Sequence, residues 1–410
     1  MAVDRISELP DEILCHILSF LPTKLAFTTA VLSKRWTPLF YSLAVLRFRF
    51  NNETLKNHNS FDHLCRFIDT LMLSPRVSNQ PIKKFSLKCR FLCRKFNSPS
   101  KSNVSAWVEA AAPKLRHVEK FVLILHHSIT LKLNPSSLTS GTLVILKLED
   151  VQIQSNNNLC ADLPSLKTLH FRSVRFKNKN DFMKLLNACP LLQDLHASYI
   201  KYDENNEEAK EFKSLSLSKL VRANICSKDI PFTAIYNVDF LCIFVRSGVT
   251  FKSIPVFQNL IHIELWFYNF SCGWDGIVEL LLNCPKLQIL FIRKVCGLVC
   301  FYFASCFFDI YFNECYFLSL WQGIELSLSK DLECPISAIE CLSSHLRLCT
   351  IVNLNGSDIP FATYILQNAR LLEVMKINVS ASSSEGMQKH EIIEKLSTCP
   401  RMSPGCKLSF

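Results

Sequence analysis

Between residues 9 and 22 the apolar side chains Ile13, Leu14, Ile17, Leu18 and Leu21 form a broad stripe on one face of a helix. Pro10 fits the first helical position, Asp11 and Glu12 place negative charge at the positive end of the helix dipole, and Pro22 stops the run. Thr23 can cap a second short helix carrying Leu25, Ala26 and Val31. Ser33 can cap a third, which Pro38 is expected to interrupt early. Roughly forty residues in three short helices make too small a core to stand alone, so part of the stripe must bury against the rest of the chain or against a partner.

A different pattern takes over near residue 80. Apolar residues at offsets of three and five recur at Ile82-Phe85-Leu87, Val118-Phe121-Leu123, Leu143-Leu146-Leu148, Leu166-Leu169-Phe171, Leu192-Leu195-Ala197, Leu220-Ala223-Ile225, Leu260-Ile263-Leu265 and Leu287-Leu290-Ile292. The same spacing returns at Leu346-Cys349-Ile351 and Leu372-Met375-Ile377. Most intervals are 23 to 28 residues, and the two long ones, 36 and 40, are expected to contain an irregular repeat. Two repeats share a phrase, Leu185-Leu186-Asn-Ala-Cys189-Pro190 and Leu281-Leu282-Asn-Cys284-Pro285, in which a helix ends and an alternating strand begins. Stacked units of this kind bury a continuous ladder and leave a curved parallel sheet whose outward side chains form a recognition surface. The outward candidates are Lys147, Glu149, Lys167, Thr168, His170, Asp194, His196, Glu264, Trp266 and Phe291, each with a solvated filler as its plain alternative. Trp266 stands out, because an exposed aromatic ring supplies contact area at low entropic cost.

Composition narrows the chemistry. The 410 residues, 49% apolar and 20% charged, are enough to fold and too many for one compact core. Nine glycines, at 141, 248, 273, 276, 297, 323, 356, 386 and 405, leave no dinucleotide fingerprint, P-loop or nucleophile elbow. A net charge of +11 permits attraction to acidic partners without calling for nucleic acid, and none is expected. The basic stretch from Lys83 to Lys101 alternates with Phe85, Leu87, Phe91 and Phe96, as the solvated side of a half-buried strand region would. Nineteen cysteines in a long chain with no legible signal peptide are expected to be reduced and mostly to act as small buried hydrophobes. The close pairs Cys89/Cys93 and Cys296/Cys300 lack a second pair or a histidine, so no metal and no cofactor is expected. His126, His127 and His345 stand in no motif with a nucleophile, so no catalytic residue is assigned.

The string Leu9-Pro10, Ile13-Leu14, Ile17-Leu18, Leu21-Pro22-Thr23-Lys24 and Val31-Leu32-Ser33-Lys34-Arg35-Trp36 closely resembles the F-box over residues 3 to 45, with Pro38 as a departure near the last turn. Toward the other end, Cys341-Leu-Ser-Ser-His345, Tyr364-Ile-Leu-x-Asn-Ala369 and Pro400-Arg-x-Ser403 with Cys406-Lys-Leu-Ser-Phe410 resemble the FBD domain. Together with the repeats, the chain resembles the plant F-box/FBD/leucine-rich-repeat family. The resemblance implies an α/β fold: a three-helix F-box at 3–45, leucine-rich repeats at 80–293 and an FBD cap at 329–410 that protects the open sheet edge. It also implies a non-catalytic substrate-recognition subunit of an SCF-type cullin-RING ubiquitin ligase. Leu9, Pro10, Ile13, Leu14, Ile17, Leu18, Leu21, Pro22, Val31, Leu32, Ser33, Lys34, Arg35 and Trp36 would then grip the Skp-type adaptor and, through it, the cullin and RING subunits. In that reading Trp36 with Leu32 is the aromatic anchor, and Lys34 and Arg35 sit at the rim. Lys147, Lys167, His170, His196, Glu264 and Trp266 would face an unidentified target protein. The alternatives are an adaptor-binding repeat scaffold without a degradation substrate and, less favoured by the motifs, an enzyme. Cytoplasm or nucleus is the expected location.

Residues 294–328 do not fit this grammar. No Lys or Arg occurs between Lys294 and Lys330, and the first apolar run, 295–308, is shorter than the roughly 20 residues of a membrane helix, so no membrane span is expected. The segment reads as a poorly ordered insertion or as retained intron sequence, with burial beneath the repeat sheet the better account if the transcript encodes it.

Overall fold

The computed structural model describes residues 6, 8–50, 58–74, 81–89, 101–111, 117–125, 131–134, 138–155, 159–203, 215–245, 251, 254–267, 273–294, 339–380 and 388–410. The segment at 294–328, apart from Lys294, lies outside them, as do Cys93, Cys296, Cys300, His126 and His127. The chain forms two compact units, Met1–Leu215 and Ser216–Phe410.

The first unit opens with helices α1 (Asp11–Phe20), α2 (Thr23–Thr28) and α3 (Trp36–Tyr41), with a 3-10 turn at Thr29–Val31. Then follow β1 (Val45–Phe50), α4 (His58–Met72), β2 (Lys84–Cys89), α5 (Lys101–Ala110), β3 (Lys120–Ile124), β4 (Leu131–Leu133), β5 (Ile145–Glu149), β6 (Val151–Ile153), β7 (Thr168–Arg172), β8 (Arg175–Phe176), α6 (Lys179–Asn187), β9 (Asp194–Ser198) and β10 (Lys201–Tyr202). Strands β1, β2, β3, β5, β7 and β9 pair in that order, all parallel. The short strands β4, β6, β8 and β10 make a second parallel sheet.

Register turns the sequence ladder into a core. Leu46, Phe85, Phe121, Leu146, Leu169 and Leu195 stack as one inward row, and Phe48, Leu87, Leu123, Leu148, Phe171 and Ala197 as the next, all buried. Period-two alternation sends every intervening side chain to the other face. The array begins earlier than the expected residue 80, because Leu43-Leu46-Phe48 has the same spacing and forms β1. Strand β2 pairs directly with β3, so the 36-residue interval is one long repeat holding α5 and not two repeats.

The hook helices differ from expectation at their ends. Pro10 is the N-cap of α1 and not its first residue. Neither Thr23 nor Ser33 caps a helix: α2 follows Pro22 and α3 follows Arg35, with no side-chain cap on either. Pro38 does not interrupt α3; it lies in the first turn, where a backbone N–H has no intrahelical acceptor to lose, and its carbonyl accepts from Ser42 at 3.0 Å.

Asp150, Ser173 and Tyr199 occupy the same place after β5, β7 and β9, and all three adopt left-handed backbone, φ 56°, 51° and 56°. This turn redirects the chain from the large sheet into the small one. A side chain there carries a steric cost that Asp tolerates better than Tyr.

The second unit continues the grammar with β11 (Arg222–Cys226), β12 (Phe240–Val245), β13 (His262–Phe267), α7 (Gly273–Leu282), β14 (Ile289–Lys294), α8 (Glu340–Ser344), β15 (Leu348–Leu354), α9 (Ile359–Asn368), β16 (Val374–Val379), α10 (Lys389–Ser397) and β17 (Lys407–Ser409). All seven strands are parallel and pair in chain order. Strand β12 is the irregular repeat inside the 40-residue interval; Val238-Leu241-Ile243 has the ladder spacing, hidden by the continuous apolar run Phe-Leu-Cys-Ile-Phe-Val. Strands β14 and β15 pair in register from Ile289↔Leu348 to Arg293↔Val352 although the chain between them is far longer than in other repeats. Strand β17 is a three-residue edge opened by Lys407, and a short, charged edge resists pairing with a second chain.

The repeated Cys-Pro phrases at 189–190 and 284–285 stop their helices in one way. The thiols of Cys189 and Cys284 donate to the carbonyls of Leu185 and Leu280, each at 3.2 Å, satisfying groups that a helix end leaves open. Burial pushes the Cys189 thiol up to about 12, so it stays protonated and able to donate. The twelve cysteines among the described residues are free thiols. Buried Asp358 gathers Lys294 Nζ at 2.5 Å, Trp274 Nε1 at 3.0 Å and the Asn355 N–H at 2.8 Å, tying α7, β14 and the start of α9 together. The Trp274 ring stacks on Phe361 at 4.0 Å.

Burial, then Glu149, pushes the Asp150 carboxyl up to about 6 against the pull of Lys201 and Arg172. A raised carboxyl favours the fold while protonated, and that advantage is lost as pH climbs from the unfolded value through the folded one. Asp150→Asn, which also tolerates left-handed backbone, should therefore raise the melting temperature relative to the parent at about pH 7.5 and leave it unchanged near about pH 4, in thermal scans at both values.

Candidate adaptor-docking surface and target face

The three-helix hook has an inside and an outside, and the sequence stripe is divided between them. Leu14, Leu18, Ala26, Trp36, Leu39, Phe40 and Leu43 are buried. Ile13 and Ile17 are 46% and 43% exposed, one turn apart on α1, and Phe20 continues that face at 66%. Leu25 is exposed, and Val31 and Leu32, at the turn into α3, reach 86% and 68%. Of the eighteen large apolar residues exposed among the described residues, eight lie between Ile6 and Leu32. Scattered single exposures are ordinary, whereas this density in so short a segment marks an interaction surface.

Each expected adaptor contact now has a position. Ile13, Ile17, Val31, Leu32, Pro10, Pro22, Ser33 and Lys34 are exposed; Leu9 and Leu21 are half-buried. Leu14, Leu18 and Trp36 are a correction, since the hook uses them as its own core and Trp36 keeps 7% of its surface. A short helix has too few inward positions to spare, so its largest ring is spent inside. Arg35 is also reassigned: its guanidinium donates to Asp11 Oδ1 and, at 2.6 Å, to the Leu9 carbonyl, holding the entry to α1. Phe20 and Leu25 were missing from the expected contacts. Phe20 lies seven residues after Ile13, and that spacing could have found it.

Thr23 fixes the hook to the repeats. Its Oγ1, fully buried, accepts from the Arg47 N–H of β1 at 2.7 Å, while Arg47 Nη1 donates to the Phe20 carbonyl at 3.2 Å. Phe27 packs edge-on against Phe40 and, tilted, against Phe67 of α4.

On the outward face of the first unit, Val122, Lys147, His170 and His196 stand in one row across β3, β5, β7 and β9. His170 Nε2 lies 3.2 Å from Asp194, and the two imidazoles are 5.5 Å apart. Burial, reinforced by His170 and Arg172, drives His196 down to about 4, so it is neutral near pH 7. Lys167 precedes β7 and is exposed; its carbonyl accepts from Gln193 and Asp194. In the second unit Glu264 pairs with His262 at 3.4 Å and is held below the usual carboxylate range, chiefly by that hydrogen bond. Trp266 is a second correction. Its ring keeps 8% of its surface, lying between Phe244 and Phe291 with the Arg293 guanidinium 4.7 Å over its face. Phe244 and Arg293 lie beside Trp266 in register and Phe291 lies diagonally from it, and packing against them removes Trp266 from solvent.

Comparison with known proteins matches this arrangement. The F-box domain model matches residues 6–45, the Leucine Rich Repeat model 165–190 and the FBD model 333–377. An F-box/LRR-repeat protein of Arabidopsis thaliana is 30% identical over 375 residues, covering 70% of this chain and 71% of its own. The chain belongs to the F-box/LRR-repeat family. An F-box/FBD/LRR-repeat protein and an FBD-associated F-box protein of the same plant are 25% and 26% identical, the first over 99% of both chains and the second over the full length of both. The order is therefore F-box, leucine-rich repeats, FBD, in a mixed α/β fold with a large parallel sheet.

Two outcomes test the geometry. Thr23→Val removes the acceptor of the part-buried Arg47 N–H and should cost about 1–3 kcal/mol in chemical denaturation. A histidine with a depressed value gives stability that is present above its unfolded value and lost as pH falls through the folded one. The parent should therefore weaken between about pH 6.5 and about pH 4, and His196→Gln should show a flatter profile over that window in denaturation curves.

Proposed function

We propose that the chain is a substrate-recognition subunit of an SCF-type cullin-RING ubiquitin ligase. F-box/LRR-repeat proteins typically act as substrate receptors of such ligases and are generally non-catalytic. The observation that carries the reading is the exposed apolar surface of Ile13, Ile17, Phe20, Leu25, Val31 and Leu32 on a hook whose own core is already complete. A Skp-type adaptor docks there, the cullin and RING subunits follow through it, and the outward sheet face holds a target protein, in cytoplasm or nucleus. Burying six such side chains at about 1.5–3 kcal/mol each gives a gross term of about 9–18 kcal/mol, which competes with an association cost of about 4–15 kcal/mol. Tight but reversible docking results. Ubiquitin transfer is then accelerated by proximity, since a tethered lysine meets the charged carrier at raised effective concentration.

The division of the stripe decides which variants report on docking. Ile17→Asp with Leu32→Asp alters only exposed side chains, and should abolish co-purification with a Skp-type adaptor while the melting temperature stays within a few degrees. Leu14→Asp and Leu18→Asp would instead unfold the hook and say nothing about the partner. Adaptor binding retained in the exposed double variant would overturn the assignment.

A further inference from the structure

The alternation of apolar and polar positions breaks down on the outward side of the second unit. In the first unit outward positions are mostly polar, as in Lys84-Ser86-Lys88 of β2 and Thr168-His170-Arg172 of β7. In the second, β12 reads Phe-Leu-Cys-Ile-Phe-Val, β14 opens Ile-Leu-Phe-Ile and β15 opens Leu-Cys-Thr-Ile-Val, apolar toward both faces. Such runs are the composition of strands covered on both sides. Here the inward residues Leu241, Leu290 and Cys349 are fully buried, whereas the outward strip of Phe240, Ile289, Phe291, Leu348, Val352 and Val374 is only half-buried. Exposed cations stand at the two ends of the strip: Arg222 of β11, whose guanidinium lies 4.2 Å over the Phe240 ring, and Lys376 of β16 with Lys407 of β17. Among the described residues of these outward rows the one carboxylate is Glu264, which His262 already pairs at 3.4 Å.

We propose that this strip docks an amphipathic helix of the target protein, apolar along one side and carrying Asp or Glu near both ends. The inference rests on the substrate-receptor reading for the role of the occupant and adds its chemistry. The face of a sheet offers no free backbone groups, because they are spent on neighbouring strands. An occupant must therefore satisfy its own, as a helix does and an extended segment does not. Strands repeat about every 4.8 Å and a helix turns about every 5.4 Å, so a helix lying across the strands sets one apolar side chain over each. From β12 to β16 the strip crosses five strands, about 19 Å, which matches about thirteen helical residues. A helix of that length brings its ends to Arg222 and to Lys376 with Lys407, where carboxylates are attracted and ammonium groups repelled.

The test uses the full chain immobilised through an N-terminal tag, with binding of a Skp-type adaptor read in parallel. A displayed library of fully randomised peptides, about 16 residues long, is selected on it. An enriched peptide is then resynthesised with its acidic ends changed to Lys and, separately, with Pro at its centre. Enriched sequences should carry apolar residues at helical spacing between acidic ends. Lys ends or a central Pro should each weaken binding at least about tenfold, and the effect of the Lys ends should shrink as salt rises. Ile289→Thr with Leu348→Thr, which keeps a strand-forming side chain at both positions, and Lys376→Glu with Lys407→Glu, at exposed positions, should each lower affinity by a similar factor. Lys84→Glu with Lys132→Glu, on the first unit, controls for net charge and should change nothing. Loss of adaptor binding while the peptide is held would overturn the receptor reading and leave the docking strip standing. No enrichment, enrichment without helical spacing or acidic ends, or an affinity unchanged by substitution at Ile289 and Leu348 would each overturn the proposal. So would peptide binding that emerges only after deletion of residues 295–328, or a dimer of the chain that the Ile289 and Leu348 substitutions dissolve, since both assign the strip to the chain itself.

Discussion

In-register parallel pairing is the constraint from which the molecule follows. A parallel strand has backbone donors and acceptors along both edges, and each must find a neighbour. Here the neighbours come from successive repeats aligned residue by residue, so two inward positions per strand become two continuous buried rows: Leu46 to Leu195 and Phe48 to Ala197 in the first unit, Ala223 to Met375 and Ile225 to Ile377 in the second. The alternation that buries these rows also dictates which side chains look outward. The outward rows are thus a by-product of core packing and need no separate scaffold.

The hook is subject to the same arithmetic on a smaller scale. Its inward positions are few, and Leu14, Leu18, Trp36 and Phe40 take them. Whatever else is apolar in those helices has nowhere of its own to go. Thr23 then joins this element to the first strand, its hydroxyl oxygen accepting from the Arg47 N–H, so that a residue of helix-capping type serves the sheet instead. The tertiary donor outcompetes the local one because the part-buried Arg47 N–H of β1 would otherwise lack an acceptor, which is more costly than an uncapped, solvated helix start.

Much of this was legible in the residues. The ladder spacing alone locates ten of the strands, because a period of two inside a longer period of about 25 residues has few other readings. The Cys-Pro phrase marked both helix ends. Strand β12 is hidden because its alternation is overwritten by an unbroken apolar run, and β1 because Leu43 falls within residues 3–45, the span of the F-box resemblance. Burial of Trp36 and Trp266 escaped for a deeper reason. Whether an amphipathic aromatic residue faces water depends on which rings flank it in space, and Phe244, Phe291 and Arg293 reach Trp266 from strands that are remote in sequence.

Strands β14 and β15 meet as ordinary neighbours, with the Lys294 carbonyl accepting from Asn353 Nδ2 at 2.6 Å, although an extra stretch of chain leaves and returns between them. Such an array measures itself by its rungs and is indifferent to the length of rope between one rung and the next. Gain, loss or exchange of sequence in the intervals can therefore accumulate while the strands keep their places, giving a lineage of such repeat proteins room to diversify at little risk to folding.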